Sequence, residues 1–102
     1  MTADSDIQVW LETYAKTQPV VIVPYVKSSE NVTLRYKVRT VKEGSGGKSV
    51  MGQGGVVSIT ANVPAALSRM SLNRSPTDVC HIDLVLSEIG VADRNYHFDC
   101  PR

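Results

Sequence analysis

Apolar and polar residues alternate along most of this chain with a period of two, the spacing of a half-buried β-strand. Ile7, Val9 and Leu11 interleave with Gln8, Trp10 and Glu12, and Leu34, Tyr36 and Val38 with Arg35, Lys37 and Arg39. Ile82, Leu84 and Leu86 interleave with His81, Asp83 and Val85. No run keeps a helical period over ten residues. The pattern predicts seven strands: Ile7 to Ala15, Val20 to Lys27, Val32 to Lys42, a fourth within Ser49 to Ala61, Ala65 to Leu72, Val79 to Ile89, and Ala92 to Cys100. The fourth is clearest at Val57, Ile59 and Ala61.

Turn residues separate the runs. Thr17-Gln18-Pro19 and Ser28-Ser29-Glu30-Asn31 read as tight connections, and Gly44-Ser45-Gly46-Gly47 as a flexible loop. Asn73 to Asp78 is long enough to cross from one sheet to the other. Seven short strands in a chain of 102 residues predict an all-β, immunoglobulin-like seven-stranded antiparallel β-sandwich with Greek-key wiring, one domain over residues 1–102. Pro24 conflicts with a central second strand, because proline cannot donate to the ladder; a bulge or an unpaired amide is expected there. Gly52-Gln53-Gly54-Gly55 reads as a bulge or strand break.

The last two runs fix their own register. In an antiparallel hairpin centred on Gly90, Cys80 faces Cys100, Ile82 faces Phe98 and Leu84 faces Tyr96, with Leu86 on the same face. The apolar alternation and the cysteine pair choose this register independently, and a slip of one residue would send the aromatics to the opposite side. A Cys80–Cys100 disulfide follows, structural because neither cysteine has a redox spacing. It implies an oxidising compartment; two reduced cysteines in a cytosolic core are the alternative.

Composition adds limits. Hydrophobic residues are 42 % of the chain and charged residues 21 %, as in ordinary globular proteins. The formal net charge of +1 supplies no global field toward nucleic acid or membrane, so charge recognition requires a local patch. No apolar run reaches the ~18–20 residues of a membrane span. Met1-Thr2-Ala3-Asp4 is polar and does not read as a signal peptide, so the expectation is a cytosolic chain or a mature exported one carrying an added Met1.

Arg35, Lys37 and Arg39 supply such a patch: alternate positions put all three on one face of the third strand. In an immunoglobulin-like sheet the third, sixth and seventh strands are neighbours, which sets this stripe beside the polar face of the terminal hairpin. There His81 opposes Asp99 and Asp83 opposes His97. These four are weak candidates for a divalent metal such as zinc, for a pH-sensitive cluster, or for two exposed cross-strand ion pairs. The stripe itself reads as a solvated face or as a positive ridge for an acidic partner. Catalysis has no support: no Gly-X-Ser-X-Gly elbow is present, and the glycines at 52, 54 and 55 lack the Lys-Ser/Thr of a phosphate loop. No cofactor is implied. Trp10 and Tyr14 share one side of the first strand, either as an exposed aromatic pair or packed over a sandwich edge.

Between Val38 and Asp78 lie Lys42-Glu43-Gly44-Ser45-Gly46-Gly47 after a basic strand, Pro64-Ala65-Ala66-Leu67-Ser68-Arg69-Met70-Ser71-Leu72-Asn73, and Ser75-Pro76-Thr77-Asp78. With these motifs the segment resembles the CsgC/CsgH family of curli-system amyloid inhibitors. The strand Val20 to Val26 with its internal Pro24 matches too, and Cys80 with Cys100 resembles the CsgH branch. The resemblance implies a periplasmic sandwich that keeps the amyloidogenic curli subunit from assembling before export, through transient and largely electrostatic binding; a monomer with no nucleic-acid or membrane partner is expected. Arg35, Lys37 and Arg39 are the expected contact residues. The Cys-X-Cys pair that CsgC carries early in its third strand is replaced here by Val32, Thr33 and Leu34, so no redox role carries over. Two other functions compete: an immunoglobulin-like adhesion or assembly module that binds by strand addition, and a periplasmic divalent-metal binder.

Overall fold

A computed structural model of the chain describes residues 6–15, 20–72 and 77–100. Its elements are β1 (Ile7–Ala15), β2 (Val20–Ser28), β3 (Val32–Gly44), β4 (Gly47–Ile59), β5 (Ala65–Ala66), β6 (Met70–Leu72), β7 (Val79–Glu88) and β8 (Val91–Asp99). Two antiparallel sheets result. In one, β2 lies between β1 and the short pair β5 and β6; the other has the order β4-β3-β7-β8.

The inner faces carry the residues that the alternation selects. Ile22 and Val26 from the first sheet and Leu34, Val38, Ile82, Leu84 and Leu86 from the second are buried, joined by Leu67, Met70 and Leu72. Ile7, Val9, Leu11, Tyr36, Tyr96 and Phe98 pack against this core. β2 is buried at six of its nine positions in keeping with its nearly all-apolar sequence, since it has a strand on either side. One polar contact joins the sheets within the core: buried Thr40 on β3 donates its Oγ1–H to Met70 Sδ on β6 at 3.1 Å.

Pro24 causes no bulge. β2 keeps unbroken register with β1 from Ile7↔Ser28 to Thr13↔Ile22, through Leu11↔Pro24. The cost falls on the other side. There β6 pairs with Val20, Val21 and Ile22, and β5 with Tyr25 and Val26, leaving a gap opposite Val23 and Pro24. A strand residue points its N–H and C=O to the same side, and the Pro24 carbonyl accepts from Leu67 N–H at 2.9 Å within that gap. The missing donor therefore faces the gap, and the single run expected from Ala65 to Leu72 divides into two short strands.

Two glycine segments also differ from expectation. Gly44 to Gly47 is a tight hairpin end, with Gly44 paired to Gly47 and Gly47 at φ 110°, a left-handed conformation natural to glycine. Gly52 to Gly55 neither bulges nor breaks, and β3 and β4 stay in register from Val32↔Ile59 to Gly44↔Gly47. Strands of 13 residues at about 3.3 Å per residue account for much of the 51 Å long dimension of the molecule. The segments Thr17-Gln18-Pro19 and Asn73 to Pro76 lie outside the described residues.

Candidate functional site: a basic ridge beside a histidine–aspartate cluster

The terminal hairpin forms in the expected register: His81↔Asp99, Ile82↔Phe98, Asp83↔His97 and Leu84↔Tyr96. Cys80 and Cys100 are bonded, with Cα atoms 5.4 Å apart and both side chains buried. The register shifts only near the turn, between Leu86 and Glu88, where Gly90 takes φ 82°.

β3 pairs with β7 on one side and β4 on the other, so its outward face has neighbours from both. Arg35, Lys37 and Arg39 are all exposed there. Their partners on β7 are Ser87, Val85 and Asp83; those on β4 are Val56, Gly54 and Gly52. Among the described residues none of the three cations forms an ion pair.

Asp83 is engaged elsewhere. His97 Nδ1 lies 2.6 Å from Asp83 Oδ1, and the carboxylate, an acceptor only, fixes a proton on that nitrogen. His81 Nε2 lies 3.7 Å from Asp83 Oδ2, and the two imidazole rings are 5.2 Å apart. The expected His81–Asp99 ion pair is absent: the two residues are register partners, yet His81 turns along its own strand toward Asp83. One carboxylate thus serves two imidazoles. Among the described residues no group of three or more His, Cys, Asp or Glu side chains is placed to hold a metal ion, so the four candidates supply no such geometry.

Further outward-facing features are missing from the sequence reading. Val50, 49 % exposed, and Val56, 64 % exposed, flank Gly52 and Gly54 along β4. A shallow groove runs there, walled by Lys37 and Arg39 and floored by Gly52 and Gly54. The alternation Val50-Gly52-Gly54-Val56 was the available signal, hidden because glycines depress strand propensity. Ile89, fully exposed at the tip of the β7–β8 hairpin, lines a second depression with Arg35 and Val56.

Trp10 and Tyr14 belong to the other sheet. Trp10 stacks on its register partner Tyr25 with ring centroids 5.8 Å apart, and its Nε1–H donates to Glu12 Oε2 at 2.9 Å. Tyr14 hydrogen-bonds Tyr25 through the two hydroxyls and donates to Glu12 Oε1 at 3.3 Å. The hydrogen bond with Tyr25, then desolvation and the charge of Glu12, push the Tyr14 hydroxyl up to about 12.

The chain as a whole is similar to known proteins. The family model Tafi-CsgC, described as thin aggregative fimbriae synthesis protein, matches residues 1–93. The curli assembly protein CsgC of Escherichia coli K12 is 32 % identical over 81 residues, covering 79 % of this chain and 74 % of the relative. Its counterpart from Salmonella typhimurium is 33 % identical over 67 residues, covering 66 % of this chain and 62 % of the relative. Among solved structures, the E. coli curli protein CsgC superposes with TM-score 0.79 at 28 % identity, covering 91 % of this chain and 98 % of the other. CsgH from R. palustris gives TM-score 0.74 at 19 % identity over 92 % of each chain, a likeness of fold. The family-model match over residues 1–93, with a relative 32 % identical over 79 % of this chain, places the chain in the Tafi-CsgC family, and it is a member of that family.

Proposed function

We propose that this protein is a non-enzymatic, chaperone-like inhibitor in curli biogenesis that holds the amyloid-forming curli subunit transiently, through the ridge Arg35, Lys37 and Arg39, in the periplasm. Family membership supports the role in curli biogenesis. The Cys80–Cys100 bond suits an extracytoplasmic, oxidising compartment. The proposed frame is an immunoglobulin-like seven-stranded Greek key, a reading supported by two antiparallel sheets in which β5 and β6 count as one interrupted strand.

The observation that carries the binding mode is three exposed cations on one strand face, free of ion pairs among the described residues while the adjacent Asp83 is held by His97. Like charges at alternate strand positions lie within a Debye length of ~8–10 Å and reinforce one another. Such a ridge attracts acidic or amide-rich stretches quickly and releases them quickly. Each brief complex withdraws a pairing-competent strand from the pool that nucleates amyloid.

Co-incubation with purified curli subunit, followed by amyloid-dye fluorescence, tests this reading. Substoichiometric protein should lengthen the lag phase, and salt should shorten it again because the ridge is exposed. No delay at any ratio would contradict it.

A further inference from the structure

Among the described residues, the second sheet ends in an edge that differs from the other strand edges. β4 pairs with β3 alone, and its register runs from Val32↔Ile59 to Gly44↔Gly47 without a shift. From Ser49 to Ile59 it contains no charged residue and no proline. Natural edges are blunted by charge, bulges or brevity. β8 carries Asp93, Arg94 and Asp99, with a register shift near its turn. β1 carries Glu12 and a register shift between Thr13 and Ala15. β5 and β6 have two and three residues. Only β4 offers a long row of unpaired main-chain donors and acceptors without such a device, among the described residues.

We propose that the free edge of β4 is a docking site for an extended, acidic polypeptide segment, which adds as a fifth strand and lays alternate carboxylates toward Lys37 and Arg39. The inference rests on the function proposed above and specifies how the client is held. An unpaired edge selects a polypeptide strand as its occupant. Charge then selects the strand. On the outward face β4 presents Gly52 opposite Arg39 and Gly54 opposite Lys37, so no β4 side chain stands between those cations and an added strand. Two strand spacings, roughly 9.6 Å, separate the ridge from that strand, a span that long Lys or Arg and Glu side chains bridge together. A second copy of this chain is the poorer occupant, because two β4 edges meeting would bring two basic ridges onto one sheet.

The test titrates the isotope-labelled full chain with an eleven-residue peptide alternating Glu and Thr, and with the same peptide carrying Lys for Glu. The Glu peptide should shift backbone amides from Ser49 to Ser58 saturably, and the Lys peptide should not. Adjacent strand residues aim their amides to opposite sides. Of Gly52→Pro and Gln53→Pro, one therefore loses its donor toward solvent, keeps the fold and should weaken Glu-peptide binding at least tenfold. Should both unfold, the Lys37→Glu/Arg39→Glu double variant decides, by now taking the Lys peptide in place of the Glu peptide at the same amides.

Shifts confined to β1, β8 or the side chains of β3 would overturn the inference. So would β4 shifts that follow protein concentration without peptide, which would identify a second copy. If the peptide avoids β4 while the protein still delays fibrillation of curli subunit, the edge inference fails and the proposed function stands. If both effects are absent, both fail.

Discussion

His97 Nδ1 approaches Asp83 Oδ1 to 2.6 Å across the terminal hairpin, while Arg39 faces the same aspartate from the other side without forming an ion pair. A carboxylate beside the basic ridge is thereby occupied, and the ridge keeps its charge. Removing that carboxylate should strengthen client binding. Asp83→Asn is predicted to lengthen the fibrillation lag at a given ratio, equivalent to about a twofold gain in affinity, the effect of one charge ~10 Å away in water. Its unfolding midpoint in urea should move little, because exposed ion pairs contribute well under ~1 kcal/mol.

The disulfide should be worth more. Cys80 and Cys100 close a loop with a sequence separation of 20. Chain entropy assigns roughly 3 kcal/mol to such a loop, less if the hairpin is already stiff in the unfolded chain. Cys80→Ala/Cys100→Ala should lower the unfolding free energy measured in urea by about 2–3 kcal/mol, and reductant should do the same to the wild type but not to the variant.

The strand glycines should respond unequally to alanine. A Cβ on Gly54 would sit 3.0 Å from the Tyr36 carbonyl oxygen, which is backbone and cannot move alone. A Cβ on Gly55 would meet the Tyr36 hydroxyl at 3.1 Å and its ring at 3.3 Å, and one on Gly52 would meet nothing closer than 4.0 Å. Gly54→Ala is therefore predicted to destabilise by about 1–3 kcal/mol. Gly55→Ala should cost less, and Gly52→Ala should be neutral or stabilise by about 0.5 kcal/mol. Thermal unfolding of the three variants checks the order.

These glycines also mark where the sequence stopped being legible. The β7–β8 hairpin was readable because the cysteine pair and the apolar alternation chose one register, and the ridge was readable because Arg35, Lys37 and Arg39 alternate with Leu34, Tyr36 and Val38. β4 was not. Its glycines read as a break, yet the Tyr36 ring covers Gly55 from the facing strand and the ladder continues. Pro24 announced a missing donor without saying which side lacked it; the effect falls on β5 and β6, far away in sequence. Register alone sets His81 opposite Asp99, but a side chain also chooses along its own strand, where Asp83 lies two residues away. The Trp10–Tyr25 stack needs the β1–β2 register, which no cysteine pair or centred glycine marked in advance.

Tyr14 gives a pH signature for that aromatic cluster. Its hydroxyl is raised from 10.0 to about 12, above all by the hydrogen bond to Tyr25. The folded state therefore holds this proton more tightly than the unfolded chain. The associated stability is complete below the unfolded value of 10.0 and is lost as pH rises toward about 12. Tyrosinate absorbance should show a late ionisation from Tyr14, and Tyr14→Phe should remove that contribution.

Charge reversal of the ridge bears most directly on how the client is recognised. Arg35→Glu/Lys37→Glu/Arg39→Glu, shown by circular dichroism to keep its β-sheet content, should be added to curli subunit beside the wild type while amyloid-dye fluorescence is followed. The account predicts that the variant loses the delay and that the subunit fibrillates as it does alone. A lag as long as that given by the wild type would contradict it.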